Sequence, residues 1–371
     1  MTHQFEAAIA DRRWTRRELI RLTGITVLGA VAAACSPGGT STPIPTVPVN
    51  SPVGTKEVTE SPPLTVPHVP DPGKLTITDN ADFYITSIQM VPPEIDPKTY
   101  KVEITGLVER PMTLTLDEIK ARPKITEMHS LMCISNPVGG NLIGNAVWEG
   151  CSFADLLKEA GVKSQAIEVK MSSADGYSSS VPVATAMDPY SRLIYHMNSQ
   201  PLPAEHGFPL RVFYAGRYGM KQPKWIQRIE LIDRPYSGYW ESQGWSNDAF
   251  IKPFSAIRVP EDGGEVPLAA LMIYGQAFSG AAGIAKVEVS TDEGKSWTEA
   301  ELTRGPEPLT PYIWTEWHFP WTPSAAGNYT LAVRATTNDG VTQKQGGFSL
   351  LGGAFPDGTD GIHFITLKVR G

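Results

Sequence analysis

The 371-residue chain has three cysteines, Cys35, Cys133 and Cys151, and that scarcity excludes several kinds of chemistry. There is no CxxCH for covalent haem, no cluster of cysteines or histidines at zinc spacing, and no disulfide framework. No P-loop is present, and no GxGxxG follows a strand-like run, so the usual nucleotide cradles are missing. Internal repeats are missing too. Positive charge is in short supply, with 32 Lys and Arg against 39 Asp and Glu. Without a basic stripe, nucleic acid is not an expected partner. The acidic balance would suit docking to a basic redox partner, although solubility alone accounts for it. Long apolar runs are also lacking. The longest, Leu22 to Ala34, is too short to cross a bilayer and has the length of a signal-peptide h-region.

Thr15-Arg16-Arg17-Glu18-Leu19-Ile20-Arg21 precedes that run, and Ala32-Ala33-Ala34-Cys35 ends it. The order of basic patch, apolar run and small residues reads as a twin-arginine export signal over residues 1–35, with a basic tail as the plainer alternative. Cys35 is expected to carry a lipid anchor at the membrane surface, although Ala32-x-Ala34 also suits an ordinary signal peptidase. Residues 36–74 have abundant proline and no periodic apolar pattern, so an extended tether without a core is expected there. The expected location is therefore extracytoplasmic.

Two blocks follow. Over residues 75–256, strand-like runs (Tyr100 to Ile104, Ile167 to Met171) alternate with short helical pieces (Leu116 to Ala121, Phe153 to Ala160), which predicts an α+β domain. Over residues 257–371 helical signals vanish. Ile284 to Ser290 and Tyr329 to Ala335 alternate at period two, each ending in a turn signal, Asp292-Glu293-Gly294 or Asn338-Asp339-Gly340. That pattern predicts an antiparallel β-sandwich, with Trp297, Trp314 and Trp317 in its core.

The chemistry concentrates around Cys133, in His129-Ser130-Leu131-Met132-Cys133-Ile134-Ser135-Asn136. Downstream stand His206-Gly207-Phe208-Pro209-Leu210-Arg211 and Gly216-Arg217-Tyr218-Gly219-Met220-Lys221-Gln222-Pro223-Lys224-Trp225. One thiolate followed by cations at fixed spacing points to a metal site with an anionic cofactor tail. These stretches resemble the sulfite oxidase superfamily of molybdenum enzymes, from about Phe83 to the C-terminus. The resemblance implies a mixed α/β molybdopterin domain followed by an immunoglobulin-like dimerisation domain, and hence a possible homodimer.

By that resemblance Cys133 is the molybdenum ligand, beside two dithiolene sulfurs from the pterin. Its role is ligation and not nucleophilic attack, since a metal-bound cysteine is deprotonated outright. The pterin phosphate must be paired if buried, and Arg211, Lys221 and Lys224 suit it, as a planar fork and two point charges. The resemblance also places His206, Gln222, Pro223, Thr86, Ser87 and Asp175 against the cofactor. Asp175 precedes Gly176, so a plain turn residue is the other reading of it. Cys151 precedes the second helical piece, where a small buried apolar residue is expected; a disulfide to Cys133 is the alternative.

In sulfite-oxidising members an arginine follows a short aromatic-rich strand. Phe83-Tyr84-Ile85-Thr86-Ser87 has Thr86 in that place. A second arginine, after the cysteine motif, is replaced by Pro137-Val138, and the active-site tyrosine by Trp245. Arg217, Tyr236 or Tyr239 could compensate by entering the pocket, and Arg217 reads equally well as a surface residue. Oxygen-atom transfer on a small sulfur compound is expected, with sulfite oxidation as the family default and reduction of a sulfoxide or N-oxide as the alternative. An external electron carrier, cytochrome c-like or a quinone-linked subunit, is implied. A non-catalytic surface lipoprotein is the reading from another class, opposed by the retained Cys133, Arg211 and lysines.

Overall fold

The computed structural model describes residues 64–306, 310–346 and 353–371. The twin-arginine segment, Cys35 and most of the expected tether lie outside the described residues.

The two longest helical signals fold as expected. Ser152 caps helix Phe153–Ala160 by accepting from the Asp155 N–H, and Gly161 closes it at φ 71°. Phe153, Leu156, Leu157 and Ala160 form its buried face. Thr115 and Glu118 form a reciprocal capping box on helix Leu116–Lys120. Strands dominate everything else.

In the N-terminal domain one sheet runs in the order Met112–Thr115, Lys101–Gly106, Ile226–Ile232, Glu168–Ser173, Ser178–Pro182. Lys101–Gly106 pairs in parallel with Ile226–Ile232, and the chain between them holds most of the expected site. Another sheet is built on a long hairpin, Lys124–Met132 with Ile143–Ser152, and on Arg192–Met197. A continuous core that includes Val102, Ile104, Leu156, Leu193, Val212 and Ile229 joins strands of both sheets to the helices.

The hairpin register settles the thiol question. Met132 pairs with Ile143 at one end and Lys124 with Cys151 at the other. Cys133 therefore follows the last pair, and Cys151 lies eight strand residues from that end, about 27 Å at ~3.4 Å per residue. Both thiols are free and buried. Burial pushes the Cys151 thiol up to about 11, as befits an inert core residue.

The C-terminal domain is a sandwich of two sheets. Phe254–Val259, Leu271–Phe278, Thr315–Trp321 and Glu301–Thr303 make one; Gly264–Pro267, His363–Arg370, Gly327–Thr337, Ile284–Ser290 and Thr298–Glu299 make the other. Its first strand starts before the expected boundary at residue 257. Of the three tryptophans expected in its core, Trp317 is there, with Val287, Leu331 and Ile365. Trp314 packs instead with Met132, Phe254 and Phe278, in a cluster shared by the two domains, and its backbone N–H donates to Ser130 Oγ (2.8 Å). Trp297 is half-buried, with the Arg334 guanidinium 4.3 Å above its ring.

The end of the expected tether also differs. His318 Nε2 donates to the Pro70 carbonyl (3.1 Å), the Gly73 N–H to Thr303 Oγ1 (3.1 Å), and the Thr76 N–H to Glu316 Oε1 (2.9 Å). This stretch lies along the edge strand Glu301–Thr303 and its neighbour Thr315–Trp321, whose side chains replace water as its partners.

Candidate active site

Cys133 is fixed just beyond the hairpin strand. Its N–H donates to the Leu142 carbonyl (2.9 Å), and its own carbonyl accepts from the Asn136 N–H (3.1 Å). Asn136 Oδ1 accepts from the Leu142 N–H (2.9 Å), clamping the turn. The thiol therefore sits on a rigid element and faces a cavity of about 190 Å3. Ser135 Oγ is 3.0 Å from Cys133 Sγ and Thr86 Oγ1 is 3.9 Å away.

Three basic groups line the same cavity. Arg211 is buried between the rings of Trp148 and Phe213, its guanidinium carbon 5.5 and 5.0 Å from their centres. Its terminal nitrogens donate to the carbonyls of His206 (3.1 Å) and Gln222 (3.5 Å), while Nε has no partner. No carboxylate pairs with it among the described residues, and burial pulls it down to about 10. Lys224 Nζ donates to Ser87 Oγ and to the Glu205 carbonyl, both at 2.7 Å. Burial first, then the Arg211 charge, brings it to about 7. His206 Nε2 donates to the Asn80 carbonyl (3.1 Å), and burial holds the imidazole down to about 4, hence neutral.

Gly207 brings these groups together. It adopts φ 111°, and a Cβ there would lie 3.1 Å from the Cβ atoms of both Arg211 and Lys224, so the turn after His206 closes only around glycine. The other acceptors sit nearby. Asp175 lines the cavity, its Oδ1 accepts from the Tyr177 N–H (3.0 Å), and burial raises its pKa. It is thus both the turn residue and a cavity residue. Gln222 donates from Nε2 to the Arg217 carbonyl (2.7 Å) and leaves Oε1 buried without a partner. Pro223 lines the cavity beside it, and its carbonyl accepts from the Val212 N–H (3.1 Å).

Of the residues predicted from the sequence, the cavity brings together Cys133, Thr86, Ser87, Asp175, His206, Arg211, Gln222, Pro223, Lys224 and Trp245. Two cations are placed elsewhere. Lys221 is fully buried in an ion pair with Glu241 and donates to the Ser180 carbonyl (2.9 Å), so its charge is already neutralised behind the cavity wall. Arg217 donates to the Asp248 carbonyl (2.6 Å) and to Thr185 Oγ1 (3.1 Å), and lies 3.6 Å over the Phe250 ring; it does not reach the cavity. Tyr236 and Tyr239 are not in the lining either: the Tyr236 hydroxyl is 2.8 Å from Ser178 Oγ, and Tyr239 is exposed. The Phe83-Tyr84-Ile85-Thr86-Ser87 stretch is irregular rather than a strand, for it pairs with no neighbour.

Sequence reasoning missed Tyr84, Tyr177 and Trp240. Tyr84 stacks on Phe83 and reaches the cavity, and the Tyr177 hydroxyl donates to the Met220 carbonyl (2.5 Å). Both lie inside stretches already singled out, so proximity was their signal; Trp240 had none.

These residues fit molybdenum–molybdopterin. The cradle offers a single thiol, a buried guanidinium and a lysine for phosphate, and for pterin N–H groups a free buried acceptor at Gln222 Oε1 beside the Asp175 carboxylate. When bound, that group would supply the two-electron change and the open position for oxygen transfer. The protein's share is to hold the anion, orient the ring and exclude water with Trp225, Trp240 and Trp245.

The reassignment of Lys221 gives an expected result. Lys221→Met would strand a buried carboxylate and lower unfolding stability by about 3–5 kcal/mol, yet leave cofactor content per folded molecule near the parent value. Lys224→Met should do the reverse. Urea unfolding with elemental molybdenum analysis of both variants separates the two roles.

Comparison with known proteins gives two family-model matches, an oxidoreductase molybdopterin binding domain over residues 89–240 and a Mo-co oxidoreductase dimerisation domain over residues 249–346. Mitochondrial sulfite oxidase of Drosophila melanogaster is 33% identical over 286 residues, covering 65% of this chain and 50% of that protein. A candidate protein-methionine-sulfoxide reductase subunit of Azospira oryzae, YedZ1, is 33% identical over 153 residues, 41% of this chain and 56% of that protein. The chain thus spans about half the length of these curated relatives. Among solved structures, the sulfane dehydrogenase SoxCD of Paracoccus pantotrophus superposes with a TM-score of 0.67 at 24% identity, over 78% of this chain and 81% of that one, a likeness of fold.

Proposed function

Because the chain belongs to the sulfite oxidase superfamily of molybdopterin-binding oxidoreductases, with molybdenum–molybdopterin as its cofactor, we propose that it catalyses oxygen-atom transfer on a small sulfur compound. The observation that carries this reading is the single thiol of Cys133 facing a cavity whose buried Arg211 has no carboxylate partner among the described residues. We further propose that the chain is exported by the twin-arginine route, held at the outer membrane face by lipid on Cys35, and paired as a homodimer through its C-terminal domain. Electrons would be exchanged with an external carrier, cytochrome c-like or a quinone-linked subunit.

Two directions of transfer share this site. Sulfite with water would give sulfate, two protons and two electrons; a sulfoxide with two protons and two electrons would give the sulfide and water. The second reading rests on the lining. Around Cys133 stand the hydroxyls of Thr86 and Ser135 and the apolar walls of Leu131, Ile134, Met220 and Trp245, and the cations of the lining are Arg211 and Lys224, which the cofactor phosphate would engage. A doubly charged oxyanion has few partners there, whereas a neutral sulfoxide needs only a hydrogen bond or two and apolar contact.

The spectrum of the oxidised, molybdenum-loaded protein tests the choice. Anaerobic sulfite should leave the thiolate-to-molybdenum absorption unbleached, and dimethyl sulfoxide should restore it after reduction. Prompt bleaching by sulfite would instead establish a sulfite dehydrogenase.

A further inference from the structure

Trp240 and Trp245 flank one turn of 3-10 helix, Glu241–Gln243, and this segment is anchored from two directions. On the catalytic side, buried Glu241 accepts from Lys221 Nζ and from Ser179 Oγ (2.6 Å). On the other side the contacts come from the C-terminal domain. The Phe355 ring stands edge-on to Trp245, with centroids 5.1 Å apart at 82°. The Ser246 N–H donates to the Pro356 carbonyl (3.1 Å). Gly244, at φ 94°, leaves room for Phe355, which lies 3.3 Å from where its Cβ would be.

The segment that carries Phe355 is itself held down. Ala354 is fully buried and its carbonyl accepts from the Gly358 N–H (2.6 Å). Lys252 Nζ donates to the Gly358 carbonyl (3.2 Å). Trp245 is therefore sandwiched between the cavity it lines and an aromatic ring supplied by the second domain, and Phe355 itself remains 44% exposed. An edge-to-face pair fixes ring orientation as well as contact, and Phe355 is the aromatic ring that the C-terminal domain sets against Trp245 among the described residues.

We propose that Phe355 is a positioning residue for the substrate end of the cavity, which, by bracing Trp245, sets the size of the groups on sulfur that the cavity accepts. The size selection rests on the sulfoxide reading; the brace does not. Without the phenyl ring, Trp245 can swing outward into the space Phe355 vacates, and the cavity lengthens toward the sandwich. One or two extra carbons in an apolar pocket change selectivity by about 10–200-fold, so a movable indole is enough to admit an aryl substituent.

The test uses full-length enzyme with Phe355→Ala and Phe355→Leu, and two readouts. In protein labelled with 5-fluorotryptophan, the Trp245 resonance is identified by its loss in Trp245→Phe. It should shift or broaden in Phe355→Ala and stay near the parent position in Phe355→Leu. With reduced enzyme, kcat/KM for methyl phenyl sulfoxide relative to dimethyl sulfoxide should rise about 10-fold in Phe355→Ala, with molybdenum content unchanged, and return toward the parent ratio in Phe355→Leu. A Trp245 resonance unmoved by Phe355→Ala overturns the brace. A moved resonance with an unchanged ratio overturns the selection. An enzyme that reduces neither sulfoxide defeats the sulfoxide reading and the size selection together, and the resonance, which needs no turnover, still decides the brace.

Discussion

Replacing Cys133 with serine is expected to lower turnover by about 1,000-fold or more, equivalent to about 4 kcal/mol in the barrier, in a protein that remains folded. The thiol caps a hairpin strand and faces a cavity, and the clamp around it uses backbone groups and Asn136, none of which the substitution touches. Oxygen is smaller and harder than sulfur, so serine preserves the turn but replaces a soft anionic donor with a weakly acidic hydroxyl. The pterin and its phosphate keep their partners in Arg211 and Lys224, so cofactor content should fall less than activity. Visible absorption from the thiolate–metal bond should vanish. Cys151→Ser is the control: it puts a hydroxyl into the main core, costs about 1–3 kcal/mol of stability, and leaves the absorption in place. Undiminished turnover in verified Cys133→Ser protein would overturn the oxygen-transfer reading.

What was legible in the sequence follows from how local each determinant is. Helix Phe153–Ala160 announces itself through its serine cap, its apolar face and its terminal glycine, all within ten residues. Strand Ile284–Ser290 shows the period-two pattern of a one-sided sheet, and it folds over the expected residues. Cys133, His206, Arg211 and Lys224 are expected together from the resemblance of their motifs to a known family, and one cavity does bring them together; Gly207 shows why the His206-to-Arg211 spacing is short, since two cationic residues must close around a position with no side chain.

The misread residues are those whose partner is distant and non-periodic. Lys221 and Lys224 look equivalent in sequence, yet Glu241 claims the first, and no local pattern links residues 221 and 241. Arg217 was a candidate for the pocket, but its guanidinium is taken up by Thr185, the Asp248 carbonyl and the Phe250 ring. Pro70 and Gly73 read as tether because their partners, His318 and Thr303, follow more than two hundred residues later. Phe355 left no trace at all, since its meaning lies in one ring on the other domain.

The contrast between two buried cations leads to the second large effect. Arg211→Leu is expected to weaken retention of the cofactor by at least about 100-fold, because a guanidinium fork on phosphate makes charge-assisted bonds of about 1.5–3 kcal/mol each. The same change should leave the unfolding stability of cofactor-free protein within about 1 kcal/mol of the parent. Losing the bond to the His206 carbonyl costs something, but removing a buried charge that has no counter-ion and an orphaned Nε offsets it. Lys221→Met runs the other way, since it strands Glu241. Arg211→Lys discriminates further: a point charge on a flexible stem cannot reproduce the fork between Trp148 and Phe213, so cofactor retention should recover only in part. Denaturant unfolding of the cofactor-free proteins, set beside their molybdenum content after cofactor loading, checks both signs. A large stability loss in Arg211→Leu with normal loading would mean that Arg211 holds the domain together rather than the phosphate.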